Sequence, residues 1–211
     1  MIAIVNPNST ETMTAHMLAT AKAAHPGAEI TGWTSYDGPV AIQGPEDGEA
    51  CLPPLLKLVE TVCNKKPRAL IIGCADDTGL EAIRDIASCP VLGIGQAAYH
   101  LAAMAGARFS VVTTLPASVA ILEDNVRRYG LGGQLGAVHA SGVAVLDLER
   151  DRSAATAQVL ETIVHAHDID GVQSVVLGCA GMSHIPAAAP DVGVRMIDGV
   201  VAATGIALAL A

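Results

Sequence analysis

The chain has 211 residues, of which 51% are hydrophobic and only 2% aromatic, and it carries a net charge of −9. That length allows one large domain or two small halves sharing a core, and the core must be built from Ala, Val, Leu and Ile, which suits helices on parallel strands better than an all-β sandwich. No stretch concentrates Lys and Arg, so nucleic acid is not expected as a partner, because neutralising phosphates needs a basic patch.

Short β-branched runs alternate with Ala/Leu-rich stretches along the whole chain. A strand is expected at 2–5, then a helix at 11–24 that Ser9 or Thr10 can cap. A strand at 29–33 runs into the irregular stretch 34–49, rich in Pro and Gly, which reads as a loop over a cleft. Then come a helix at 51–63, a strand at 69–72, a helix at 79–87, a strand at 91–94 and a helix at 96–105. The second half continues with a strand at 108–113, a helix at 117–129, a strand at 135–139, a loop at 141–151 and a helix at 153–167. It closes with strands at 174–177 and 194–197 and a helix at 199–210 capped by Asp198. Such alternation predicts βαβ units and parallel sheets.

Five cysteines match neither a disulfide framework nor a paired Cys-x-x-Cys zinc site. His165-x-His167 lacks the i, i+4 spacing of a helical metal pair, and Gly93-x-Gly95 lacks the rest of a dinucleotide fingerprint. No metal site and no cofactor are expected. Met1 leads directly into Ile-Ala-Ile-Val with no basic region before it, so the glycosylation-type triplet Asn8-Ser9-Thr10 carries little weight. The apolar tail 199–211 is too short to span a bilayer. The expectation is a cytoplasmic protein in a reducing compartment, with a small-molecule substrate and no membrane partner. Alanine-rich helices with apolar faces are also compatible with a homo-oligomer.

One short motif occurs twice, half a chain length apart. Gly73-Cys74-Ala75 follows the apolar run Ala69-Leu70-Ile71-Ile72, and Gly178-Cys179-Ala180 follows Val175-Val176-Leu177. The two cysteines lie 105 positions apart, and the strand ends at Asn6 and Thr113 lie 107 apart. Two landmarks with nearly one offset suggest an internal duplication. The fold expected is α/β with two similar lobes, each a parallel sheet flanked by helices, related by a pseudo-two-fold axis. Lobe one would comprise 1–94 plus 198–211 and lobe two 95–197. Ligands bind beyond the carboxyl ends of parallel strands, so Asn6, Cys74, Thr113 and Cys179 would converge on one cleft. A thiol there, near a helix start, is expected to have its pKa drawn toward neutrality. One thiolate can then remove a proton while the opposite thiol delivers one. Cys51, Cys63 and Cys89, in or at the ends of helices, read as small buried hydrophobes.

Three segments then resemble a family. Ile4-Val5-Asn6-Pro7-Asn8-Ser9-Thr10, Gly73-Cys74-Ala75-Asp76-Asp77-Thr78-Gly79-Leu80 and Leu177-Gly178-Cys179-Ala180-Gly181-Met182 are similar to the aspartate/glutamate/hydantoin racemase superfamily, and within it to the hydantoin and allantoin racemase branch. The segments Gly93-Ile94-Gly95-Gln96-Ala97-Ala98 and Ser110-Val111-Val112-Thr113-Thr114-Leu115-Pro116 fit the same branch, so the resemblance spans essentially the whole chain. It implies cofactor-independent proton transfer by Cys74 and Cys179. It also implies substrate binding at the strand ends, by Asn6, Asn8, Ser9, Ala75, Asp76, Thr113, Thr114, Ala180 and Gly181.

Departures from the pattern bear on the substrate. Amino-acid racemases of the superfamily carry Asn-Thr after the first Cys and Thr-His after the second, where this chain has Ala75-Asp76 and Ala180-Gly181. Two acids beside a cysteine repel a substrate carboxylate but can accept an N–H, which favours a neutral five-membered ureide such as hydantoin or allantoin. Asp76 and Asp77 can equally be helix N-caps. Asn6 and Asn8 can fix ring carbonyls or simply shape the turn around Pro7. The loop Gln43-Gly44-Pro45-Glu46-Asp47-Gly48 differs from the usual hydantoin-racemase segment. His184 beside Cys179 reads as a supporting or surface histidine before it reads as an activating base. Alternatives are racemisation of aspartate or glutamate, and maleate-type cis–trans isomerisation or decarboxylation in the same superfamily. Decarboxylases there keep only the second cysteine, which argues against that reaction. A non-catalytic two-lobed small-molecule binder is a further alternative.

Overall fold

Apolar runs of three to six residues become eight strands, all paired in parallel, in a computed structural model that describes residues 1–106 and 108–211. They are β1 (Ile2–Asn6), β2 (Ile30–Thr34), β3 (Ala69–Ile72), β4 (Val91–Gly93), β5 (Phe109–Thr113), β6 (Leu135–Ala140), β7 (Ser174–Leu177) and β8 (Arg195–Asp198). The strands form two four-stranded sheets, ordered β2-β1-β3-β4 and β6-β5-β7-β8. The central strands β1, β3, β5 and β7 are buried along their whole length. That explains their largely apolar sequences, since a parallel sheet is covered on both faces.

The helices are α1 (Glu11–Ala24), α2 (Pro45–Cys63), α3 (Leu80–Ile86), α4 (Ile94–Ala105), α5 (Val119–Arg128), α6 (Asp147–Arg150), α7 (Arg152–Asp170), α8 (Ile185–Ala188) and α9 (Gly199–Leu210). None of the described helices is long and apolar enough to cross a membrane. With so few aromatics, only one aromatic cluster forms among the described residues of the core, Tyr99 stacked on Phe109 with Tyr129 beside it.

The halves repeat each other bond by bond. Equal sheet orders pair β1 with β5 and β3 with β7 as counterparts. Gly73 N–H donates to Val5 O at 2.8 Å, and its counterpart Gly178 N–H to Val112 O at 2.7 Å. Asp77 N–H closes a turn on Cys74 O at 3.0 Å, as Met182 N–H does on Cys179 O at 3.1 Å. The two-lobed α/β architecture with pseudo-two-fold symmetry is therefore present. α9 packs on α1, β3 and α4.

Two local expectations are corrected. The stretch expected as loop until residue 49 is already helical from Pro45. Pro45 supplies a preset φ at the helix start, and Glu46 and Asp47 suit its positive end. Thr10 stands at the N-cap position of α1 without capping it, because its hydroxyl donates to Val40 O at 2.6 Å. Asp198 does cap α9, accepting from Val200 N at 2.7 Å and Val201 N at 3.1 Å.

Candidate active site

β3 and β7 end at Gly73-Cys74 and Gly178-Cys179, and both thiols line one narrow cavity of about 30 Å³. Neither glycine leaves room for a side chain. A Cβ on Gly73 would lie 2.6 Å from the Met17 sulfur, and one on Gly178 2.9 Å from Val112 O. The bareness of these two positions lets each cysteine turn sit against its neighbouring strand.

The first covering element is the loop between β2 and α2. It is bound to the end of β1 through Ser9 N–H to Pro39 O at 2.8 Å and through the Thr10–Val40 bond. The second is the segment after β6, tied to Thr114 O by Gly142 N–H at 2.8 Å. The two meet where Val145 N–H donates to Gln43 Oε1 at 3.0 Å. Ile42 and Val145 turn their apolar side chains to the cavity. Both stretches expected over the cleft therefore lie there, although part of each is helical.

Closure changes the electrostatics from the expected direction. Burial pushes the Cys74 thiol well above its ordinary value, helped by the Asp76 charge, while the Asp76 backbone N–H and the Thr78 hydroxyl at 3.8 Å pull it down. Burial likewise pushes Cys179 up to about 12, opposed by the Gly181 N–H. A thiol drawn toward neutrality needs a helix start close by. Here α3 begins only at Leu80, and a single 3₁₀ turn, Ala180–Met182, follows Cys179. The lost hydration therefore outweighs the dipoles.

The adjacent acids separate. Asp76 lines the cavity together with a wider pocket of about 380 Å³ outside it. Burial pushes it up to about 6 against the pull of the Ser118 hydroxyl, and its Oδ2 is buried without a hydrogen-bond partner among the described residues. Such an atom demands a donor. Asp77 points away, accepting from Gly95 N at 3.0 Å, Gln96 N at 2.7 Å and Tyr129 Oη at 2.9 Å. It caps α4 from outside that helix, with its own backbone left-handed at φ 51°. A Cβ on Gly93 would lie 1.9 Å from the Asp77 carboxylate. Gly93-x-Gly95 is thus the cradle of this cap.

The remaining candidates divide between lining the cavity and supporting it. Asn6 and Asn8 line it. Asn6 is spent on the turn, its Nδ2 donating to Asn8 Oδ1 at 2.9 Å and Thr14 Oγ1 at 3.0 Å. Among the described residues the Asn8 amide nitrogen has only the Met13 sulfur, at 3.4 Å. Ala75, Thr114, Ala180 and Gly181 line the cavity, whereas Ser9 and Thr113 do not. Ser9 is used in the loop bond already described, and the Thr113 hydroxyl donates to Gly178 O at 3.2 Å. Met13, Met17 and Ser118 also line it without having been singled out from sequence. For Ser118 the signal was its place in the turn closing Thr113-Thr114-Leu115-Pro116. His184 does not reach Cys179 as a base. Its Nδ1 pairs with Gly181 O at 3.0 Å and its Nε2 with Thr156 Oγ1 at 3.0 Å. Among the described residues no group of three or more His, Cys, Asp or Glu could hold a metal ion.

Comparison with known proteins agrees with this geometry. The hydantoin racemase of Rhizobium meliloti is 40% identical over 211 residues, covering 99% of this chain and 88% of that protein. The hydantoin racemase of Pseudomonas sp. (strain NS671) is 34% identical, over 95% of this chain and 82% of that one. The solved allantoin racemase from Klebsiella pneumoniae superposes with a TM-score of 0.94 at 34% identity, covering 99% of this chain and 86% of that chain. The model of the Asp/Glu/Hydantoin racemase family matches residues 2–207, and the chain belongs to that family.

Proposed function

We propose that the protein is a racemase of a small cyclic ureide, hydantoin or allantoin, that moves protons between Cys74 and Cys179 across the acidic ring carbon. The observation that carries this reading is the pair of thiols on equivalent strand ends, lining one cavity between two halves of equal topology. Related by a pseudo-two-fold axis, they approach a ring from opposite faces. One thiolate takes the proton from C5, the resulting enolate oxygen is held by backbone N–H groups beside the cysteines, and the other thiol then delivers its own proton to the opposite face. Each thiol ionises against the effect of burial, and the backbone N–H groups that oppose burial help to supply the thiolate that removes the carbon-bound proton. The two lobes are taken as 1–94 with 198–211, and 95–197.

Asp76 supports a ureide over a free amino acid. Its orphaned Oδ2 can accept a ring or substituent N–H, with the Asn8 amide facing a carbonyl. A substrate carboxylate buried against it would cost several kcal/mol. The similar proteins named above are hydantoin racemases and an allantoin racemase, which supports this substrate class. The free thiols fit a reducing, cytoplasmic setting. The reaction needs nothing beyond the protein's own two acid–base groups.

The test offers single enantiomers of allantoin, an alkyl-hydantoin, aspartate and glutamate and follows optical rotation. Decay of rotation with the ureides and little or none with the amino acids is expected. Efficient racemisation of a free amino acid with the ureides inert would overturn the reading.

A further inference from the structure

The residue two positions after each thiol is held at both of its backbone groups. The N–H of Asp76 acts on the Cys74 sulfur and that of Gly181 on the Cys179 sulfur, each opposing the effect of burial. Gly181 packs directly on its thiol, since a Cβ there would stand 3.7 Å from the Cys179 sulfur. The carbonyl of the same residue accepts from a polar side chain. Asn125 Nδ2 donates to Asp76 O at 2.7 Å, and His184 Nδ1 to Gly181 O at 3.0 Å.

The two tethers are equivalent in position and unrelated in origin. Asn125 reaches from α5, in the second half of the chain, to the cysteine turn of the first half. His184 sits just beyond the turn it holds. Each donor is oriented by a backing group. Arg128 Nη2 donates to Asn125 Oδ1 at 3.2 Å, and Arg has no acceptor, so the amide nitrogen must face Asp76. Thr156 Oγ1 lies 3.0 Å from His184 Nε2. Gly181 O can only accept, so in neutral His184 the proton sits on Nδ1 and Thr156 donates to Nε2. Burial lowers the His184 pKa, which favours the neutral ring.

We infer that Asn125 and His184 are positioning residues, one for each thiol, that separately fix the N–H stabilising Cys74 and the N–H stabilising Cys179. The inference rests on the reading of these cysteines as the proton-transfer pair. In a cavity with so little water those N–H groups are a large share of what a thiolate has, so their placement matters more than in solvent. Each tether touches one turn only, so its loss is one-sided. A residue serving general stability would disturb both thiols, which share the cavity.

The experiment reads the thiols one at a time. A Cys179→Ser chain reports C5 deuterium exchange by Cys74, and a Cys74→Ser chain reports exchange by Cys179, on the enantiomer each can reach, with allantoin and an alkyl-hydantoin in D₂O. Asn125→Asp keeps the size and the Arg128 partner and removes the donor. It should slow exchange by Cys74 ~10-fold or more and leave exchange by Cys179 within about twofold. His184→Leu should do the reverse. His184→Asn, whose amide N–H stands near the lost Nδ1–H, should recover most of the loss. Alkylation of each thiol by iodoacetamide, mapped by mass spectrometry in chains with both cysteines present, reads the same selectivity without a substrate. If the unaltered chain exchanges neither ureide, the functional reading fails and alkylation alone decides the tethers. Parallel effects on both thiols, or none on either, would overturn the inference.

Discussion

A carboxylate beside Cys74 governs both how a ureide is held and how readily the thiol ionises. Burial pushes Asp76 up to about 6, so it is a neutral acid below that pH and an acceptor above it. If it receives a substrate N–H, kcat/KM for a ureide should rise as pH climbs through about 6. Asp76→Asn should flatten that limb and lower kcat/KM above it by roughly 10- to 100-fold, the worth of a hydrogen bond to a charged group. A pH–rate profile of both proteins checks this, and an unchanged limb in the Asn variant would remove Asp76 from substrate binding. Sequence pointed to Asp76 as the acceptor next to Cys74 but could not say what its neighbour Asp77 does. That depends on the left-handed backbone at Asp77, which turns one carboxylate to the cavity and the other to α4.

Among elements, the cap that Asp77 places on α4 joins the Cys74 turn to the second half through Tyr129. Asp77→Ala leaves one buried and two partly buried donors unmatched and should lower stability by about 2–4 kcal/mol, seen as a reduced Tm. Burial pushes the Asp77 pKa from its ordinary 3.8 up to about 7 in the folded chain, so folding takes up a proton between those values. Its contribution is full below pH 4 and is lost as pH rises toward 7. Asp77→Asn should remove that part of the pH dependence, which melts at pH 5 and pH 8 would reveal. The loops over the cavity meet at the Gln43–Val145 bond. Gln43→Ala should raise KM about 2- to 10-fold with less change in kcat, as steady-state kinetics would show. Sequence located these loops because 34–49 and 141–151 break the periodicity. It did not reveal that α2 starts at Pro45, because Pro53 and Pro54 hide the helical pattern ahead of them.

At the scale of the whole molecule, repetition made the architecture readable. Largely apolar runs marked the central strands, and the nearly equal offsets of the two cysteines and of the strand ends Asn6 and Thr113 marked the duplication. The direction of the thiol pKa shifts was not readable, since it depends on how tightly two loops distant in sequence close over the sulfurs. Symmetry of fold also leaves room for asymmetry of detail, as in Asn125 against His184.

Serine replacement separates two opposed thiols that share one proton-transfer task from any arrangement in which one of them suffices. Cys74→Ser and Cys179→Ser chains, verified as folded by circular dichroism, are each incubated with one enantiomer of allantoin or an alkyl-hydantoin beside the unaltered protein. A serine hydroxyl is too weak an acid to exchange protons at neutral pH. Optical rotation should decay with the unaltered protein and persist with either variant, while each variant still exchanges deuterium into one enantiomer. Substantial racemisation by either single-serine chain would contradict the shared task.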